Sequence, residues 1–147
     1  MSEPLYHIID GLHDARSLVY ATWLRSYQAA SPHTKHIPRE IYFREHHKVL
    51  DGIFARAPTI KLATMPDDSN VVFGWAVTEG DVVHYCYVKP DFRRYGIARA
   101  LLAHVQRPFT YTHWTWVVRD LDKHLTECLY NPYGAKIDDG RDPEELR

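Results

Sequence analysis

The stretch Val82–Val105, VVHYCYVKPDFRRYGIARALLAHV, constrains this chain more than any other. An apolar, aromatic-rich run stops at Pro90 and passes through a basic turn containing Gly96. It continues as an alanine- and leucine-rich segment with Ile97, Leu101 and Val105 one helical turn apart. A strand that delivers a loop onto a helix N-terminus aims unpaired backbone N–H groups, and the positive end of the helix dipole, at one place. Such a unit suits an anion.

The rest of the chain supplies a sheet around this unit. Leu5–Asp10 is expected as a first strand, and Asp10 or Asp14 can cap the helix that follows. Leu12, Ala15, Val19 and Trp23 recur at helical spacing, and Ser31-Pro32-His33 ends that helix near Ala29. Pro38 opens a second helix with an apolar face at Val49, Leu50, Ile53 and Phe54; Pro58 closes it. Thr59–Met65, Val71–Glu79 and Val82–Val88 read as strands joined by Pro66–Asn70 and by Gly80-Asp81, connections short enough to demand an antiparallel meander. A helix Gly96–Gln106, a strand Thr110–Val118, a helix Asp120–Tyr130 and a short strand Ala135–Ile137 complete the reading. The order β-α-α-β-β-β-α-β-α-β implies an α+β fold: a mixed, mostly antiparallel sheet with helices on both faces. The helix Gly96–Gln106 makes a crossover, so the strands on either side of it should be parallel.

Composition narrows the function classes. The 147 residues suit one domain, expected over 1–138, with an acidic tail at 139–147. A formal net charge of −1 gives no field that would recruit nucleic acid or an anionic membrane. No apolar run is long enough to span a bilayer and no leader pattern opens the chain, so the cytoplasm is the expected location. Cys86 and Cys128 read as reduced, buried thiols. His33 with His36, and His46 with His47, lack a third ligand at a metal-site spacing, and read as solvated; no metal is expected. His104 lies on the stripe of Ile97 and Leu101 and reads as a hydrogen-bonded core residue.

Within the basic turn, Gly96 permits a backbone conformation closed to other residues, Ala98 keeps the helix start small, and Arg93, Arg94 and Arg99 add charge. The turn lacks the Gly-Lys-Ser/Thr ending of a Walker loop and the first glycine of a dinucleotide fingerprint. It resembles motif A of the GNAT N-acetyltransferase superfamily, Arg/Gln-x-x-Gly-x-Gly/Ala, with Arg93, Gly96 and Ala98 at the three positions. The lead-in Val88–Phe92, the helix Ile97–Leu102 and the element order are similar to that family over nearly the whole chain. The resemblance implies acetyl-CoA as donor, its pantetheine arm in a cleft between Val82–Val88 and Thr110–Val118. The implied CoA contacts are Tyr87, Val88, Arg93, Arg94, Tyr95, Gly96, Ile97 and Ala98.

The resemblance extends to catalysis. Tyr130-Asn131-Pro132-Tyr133-Gly134-Ala135 is similar to the family's Tyr-x-x-x-Gly-Phe segment, with Ala135 where an aromatic is usual. That implies Tyr130 as the acid that protonates the departing CoA thiolate, with Tyr133 as local competitor. The asparagine often found earlier in that helix has no match here. His84 stands nine residues before Arg93, the offset of a catalytic histidine in arylalkylamine N-acetyltransferases, and titrates in the range a general base needs. Strand alternation places Val82, His84, Cys86 and Val88 on one face, and Val83, Tyr85 and Tyr87 on the other. Glu79 is the alternative base, acting through water. The family builds its acceptor site around the first two helices, here Ser26–Ile41 with Tyr27, His33, His36, Arg39 and Tyr42 nearby. The expectation is direct transfer of acetyl to the amine of a small molecule or peptide in a ternary complex, with homodimerisation left open. The alternative is a catalytically inactive module of the same shape that binds CoA or a protein.

Overall fold

The computed structural model describes residues 5–11, 13–115 and 128–134. Within them the order is β1 (His7–Asp10), a 3-10 turn (His13–Ala15), α1 (Arg16–Ala30), α2 (Arg39–Ala55), β2 (Thr59–Met65), β3 (Asp68–Glu79) and β4 (Val82–Val88). A second 3-10 turn (Pro90–Phe92), α3 (Ile97–Leu101), β5 (Thr110–Tyr111) and β6 (Leu129–Tyr130) follow. The strands form one six-stranded sheet in sequential order. β1 to β4 are antiparallel neighbours, while β4–β5 and β5–β6 are parallel. The fold is therefore the mixed α+β arrangement expected from the element order, including the parallel crossover through α3.

Two cores sandwich the sheet. On one face α1 and α2 pack Val19, Trp23, Leu24, Tyr27, Tyr42, Leu50 and Ile53 against Trp75, Val77 and Tyr85. Trp23 and Trp75 are fully buried, and burying side chains of this size stabilises the fold by about 2–3 kcal/mol each. Trp75 Nε1 donates to Thr22 Oγ1 at 2.8 Å, whereas Trp23 Nε1 finds no acceptor among the described residues. On the other face Ile97 and Leu101 of α3 cover Ala63, Phe73 and Ala76. A third cluster, Val83, Val105, Phe109 and Tyr111, closes the end of the sheet where β5 begins.

The later elements differ from the sequence expectation. α3 ends at Leu101, and the chain tightens into i→i−3 bonds (Ala103 N to Ala100 O, Val105 N to Leu102 O) that still turn Val105 inward. Among the described residues β5 covers only Thr110–Tyr111 and does not continue to Thr115, because its ladder with β4 ends there; Trp116–Val118 of the expected strand lie outside the described residues. Leu129–Tyr130 is a strand paired parallel to β5, not the end of a helix. The remainder of the expected helix, the strand Ala135–Ile137, the boundary at 138 and the acidic tail lie outside the described residues. Among the described residues no helix is long and apolar enough to cross a membrane.

Candidate active site

The parting of two parallel strands creates a deep concavity. β4 and β5 pair only at Val82–Val83 with Thr110–Tyr111, extended by Thr112 N donating to Val83 O at 3.1 Å. Beyond that point they diverge around a cavity of about 1200 Å³. Its walls are Val83–Val88 on one side and Phe109, Tyr111, His113 and Thr115 on the other; Ser26, Ala29 and Ala30 of α1 also line it. The edge of β4 facing the cavity is open for pairing. Lys89 N donates to Phe73 O, toward β3. Alternation along an antiparallel ladder then turns the N–H and C=O groups of Val88 and Cys86 toward the cavity. Arg93 Nε indeed reaches Val88 O from that side, at 3.0 Å. Tyr87 lines the cavity too, with its backbone turned to β3.

The basic turn closes one end. Arg93, Arg94, Gly96, Ile97, Ala98 and Arg99 all line the cavity, while Tyr95 is exposed outside it. Gly96 has φ +78° and Arg94 φ +73°, both left-handed. For an arginine that conformation costs about 1–2 kcal/mol, so the turn holds a shape its residues do not prefer. The first N–H groups of α3 lack intrahelical acceptors, and Arg93, Arg94 and Arg99 line the same cavity.

His84 stands where the strands begin to part. β3 and β4 pair Val77 with Tyr85 but Thr78 with Val83, so His84 is the extra residue of a β-bulge. The simple alternation expected along β4 therefore breaks there. Val83 packs with Leu102 on the α3 side, the side of Cys86 and Val88, while Tyr85 and Tyr87 pack toward α1 and α2. His84 is 4% exposed and lines both the large cavity and a smaller one of about 260 Å³. The smaller cavity is walled by Arg56, Glu79, Val82, Tyr133 and Gly134.

Both imidazole nitrogens of His84 are engaged. Nε2 lies 2.6 Å from Glu79 Oε1, and Nδ1 lies 3.0 Å from Thr112 Oγ1. Thr112 Oγ1 lies 2.8 Å from His113 Nδ1, and His113 Nε2 lies 2.9 Å from His46 Nε2 on α2. At the outer end Arg56 holds Glu79 through Nη2 at 2.8 Å and Nε at 3.1 Å. Arg56 first, and His84 with it, lower the Glu79 pKa against the opposing effect of burial. Burial lowers His84 despite Glu79, lowers His113 well below the ordinary histidine value, and brings His46 to about 4. All three rings are thus neutral at pH 7. Burial raises the Cys86 thiol to about 12, so it is no nucleophile at neutral pH.

Tyr130 is not among the residues lining the large cavity. It stacks on His33 (5.6 Å between centroids, 5° between planes) and leans on Tyr111, which does line it. Burial raises its pKa. Of the residues expected at the acceptor side, Tyr42 spends its hydroxyl on Leu24 O at 2.7 Å, Tyr27 is buried, and His33, His36 and Arg39 are exposed. His104 is exposed but bonded to Thr78 Oγ1 at 3.0 Å.

Sequence reasoning missed Thr112 and His113 and read His46 as solvated. A signal for His46 existed: it falls on the buried stripe of Tyr42, Leu50 and Ile53, four residues from the first two. His47, one position on, points out to Asp51 at 3.1 Å. Nothing in the sequence ties His46 to His113, 67 residues away. Among the described residues no cluster of three or more His, Cys, Asp or Glu side chains is arranged to hold a metal ion.

No protein-family model matches this chain, and no curated protein does. Solved structures similar to this fold include chains described as acetyltransferases. One, described as a GCN5-related N-acetyltransferase, aminotransferase class-II, from Rhodopseudomonas palustris, is 14% identical with a TM-score of 0.48, covering 86% of this chain and 69% of its own. A ribosomal-protein-alanine N-acetyltransferase from Brucella melitensis biovar Abortus 2308 is 20% identical at TM-score 0.41, covering 97% and 87%. The aminoglycoside N-acetyltransferase AAC(6')-Iy in complex with CoA is 16% identical at TM-score 0.40, covering 99% and 84%.

Proposed function

We propose that this chain is an acyl-CoA-dependent N-acyltransferase of the GNAT kind, using acetyl-CoA. The observation that carries the reading is the cleft itself: a β4 edge turned into the cavity at Cys86 and Val88, with Arg93 on Val88 O, a basic left-handed turn at one end, and a buried histidine bonded to the half-buried Glu79 carboxylate at the other. An elongated donor fits that layout, with pyrophosphate at Arg93–Ala98 and amide groups pairing along β4 as an added strand would.

The acceptor amine enters from the side of Glu79, which lines the smaller, polar cavity. Its nitrogen attacks the thioester carbonyl carbon. A C–N bond forms, the C–S bond breaks, and the thiolate leaves with the bonding pair. The amine proton passes to the Glu79 carboxylate, because neither nitrogen of His84 has a free lone pair. A phenol then protonates the thiolate. Tyr130 keeps that role in this reading, and Tyr111, between it and the cavity, is the second phenol in reach of the wall. Release of free thiol from acetyl-CoA, followed across a panel of small amines and peptide N-termini, tests the proposal. Turnover with at least one amine class is expected.

A second reading, a CoA-binding module without catalysis, draws on the burial of His84 and on Tyr130 standing off the cavity wall. It requires CoA binding with no thiol release from any amine in that panel.

A further inference from the structure

The contacts from Glu79 to His46 allow a proton count. Glu79, ion-paired with Arg56, is a carboxylate and can only accept. Its 2.6 Å partner, His84 Nε2, must therefore carry the hydrogen. Neutral His84 then has a bare Nδ1, which accepts from the Thr112 hydroxyl at 3.0 Å. That hydroxyl has one proton, so at its 2.8 Å contact Thr112 Oγ1 accepts from His113 Nδ1–H. Neutral His113 then has a bare Nε2, which accepts from His46 Nε2–H at 2.9 Å. A longer contact, 3.3 Å from Thr112 Oγ1 to His84 O, competes for the same hydroxyl proton, but using it leaves His84 Nδ1 without a donor. One charge at Glu79 thus dictates the tautomer of three rings.

The rings are clamped for this purpose. His113 meets Trp23 and Tyr27 of α1 edge-on at 5.0 and 4.7 Å, and His46 stacks between Tyr27 and Tyr42 at 5.2 and 5.3 Å. Thr112 and His113 are both buried, and His113 lines the large cavity beside His84.

We propose that Thr112, His113 and His46 are positioning residues for the Glu79–His84 pair: a side-chain relay of fixed polarity, running from His46 to Glu79, that holds His84 in one tautomer with its Nε2–H committed to the carboxylate. For its consequence this rests on the acyl-transfer reading; for its geometry it does not. When Glu79 takes the amine proton, an O–H bond forms as the N–H bond breaks, and the electron pair stays on nitrogen. That proton meets a nitrogen already protonated, so it cannot pass inward and leaves on the solvent side, past Arg56.

Ring-nitrogen NMR on the full-length protein, labelled with ¹⁵N-histidine, tests the relay directly. At neutral pH the expected pattern alternates: hydrogen on Nε2 of His84, Nδ1 of His113 and Nε2 of His46. Hydrogen on Nε2 of His113 in the wild type would overturn the proposal. Thr112→Val is expected to release His113 from its Nδ1–H form and to lower kcat/KM for acetyl transfer by about tenfold, a fraction of what a positioned base supplies. Its affinity for acetyl-CoA should stay within roughly twofold, because a change confined to the proton-transfer machinery leaves ground-state binding intact. Thr112→Ser should restore both signature and rate, whereas unchanged ring signals and rate in Thr112→Val contradict the role. Should Thr112→Val fail to fold, Glu79→Gln reads the same link, since an amide can donate as well as accept. It is expected to populate both tautomers of His113, and an unaltered His113 overturns the relay. If no amine is acetylated while the tautomers alternate as stated, the acyl-transfer reading fails and the relay stands.

Discussion

The two ends of the cleft are built in opposite ways. The basic end is a continuous run, Arg93–Arg99, exposed at Arg93–Gly96 and Arg99, anchored by buried Ile97, and shaped by left-handed residues at Arg94 and Gly96. The apex draws Glu79 from β3, His84 from β4, Thr112 and His113 from beyond β5, and His46 from α2, and buries most of them. An anion is gripped by local backbone geometry, which a short stretch can encode. A proton is directed by desolvated groups held at hydrogen-bond distance, which requires tertiary packing. On this account binding and chemistry should separate by mutation.

The largest expected separation is at the apex. Glu79→Gln should lower kcat/KM by roughly 10²–10⁴-fold, the range of a positioned general base, with acetyl-CoA affinity little changed. A comparable loss of affinity would mean that the two ends are not independent.

Acid should loosen the apex before the turn. His46, His84 and His113 have folded-state pKa values below the ordinary 6.5, that of His46 about 4. The unfolded chain therefore binds more protons than the folded one below pH 6.5. Stability is complete above that pH and falls as pH drops toward 4, by up to roughly 3 kcal/mol for His46 alone. Urea unfolding at pH 7 and pH 5 is expected to show a lower midpoint at pH 5. In His46→Phe, which keeps a ring between Tyr27 and Tyr42, the difference should shrink. An undiminished pH dependence there would assign the effect elsewhere.

Arg93→Ala is the reciprocal test at the basic end. It removes a guanidinium from the cavity wall and its bond to Val88 O. Loss of a charge-assisted bond of about 1.5 kcal/mol predicts acetyl-CoA binding about tenfold weaker in calorimetry, with kcat at saturation nearly intact. A fall in kcat with unchanged affinity would reverse the assignment of the two ends.

The smallest effect is expected from the phenols. Tyr130→Phe and Tyr111→Phe should each leave acetyl-CoA affinity intact, and whichever supplies the thiolate proton should slow turnover several-fold. Equal wild-type rates in both would remove tyrosine from the mechanism.

The same contrast explains what the sequence disclosed. The meander was legible because Thr59–Met65, Val71–Glu79 and Val82–Val88 carry strand residues separated by turn chemistry at Pro66-Asp67 and Gly80. The basic turn was legible because Arg93, Gly96 and Ala98 fall within six residues of one another. The bulge at His84 was not, since it depends on how Val77 and Thr78 register against Tyr85 and Val83. The early parting of β5 was hidden for the same reason: Thr112–Thr115 has strand composition, and only tertiary divergence ends its ladder with β4 at the bond from Thr112 N to Val83 O. His113 and Thr112 gained their role from a helix some 67 positions earlier in the chain, at His46.

Titration calorimetry of the wild-type chain with acetyl-CoA tests the central claim most directly, that this cleft is a CoA site with its anion end at Arg93–Ala98. The account predicts saturable one-to-one binding that Arg93→Ala weakens and Glu79→Gln leaves alone. No heat of binding at millimolar acetyl-CoA, or binding indifferent to Arg93, would contradict it.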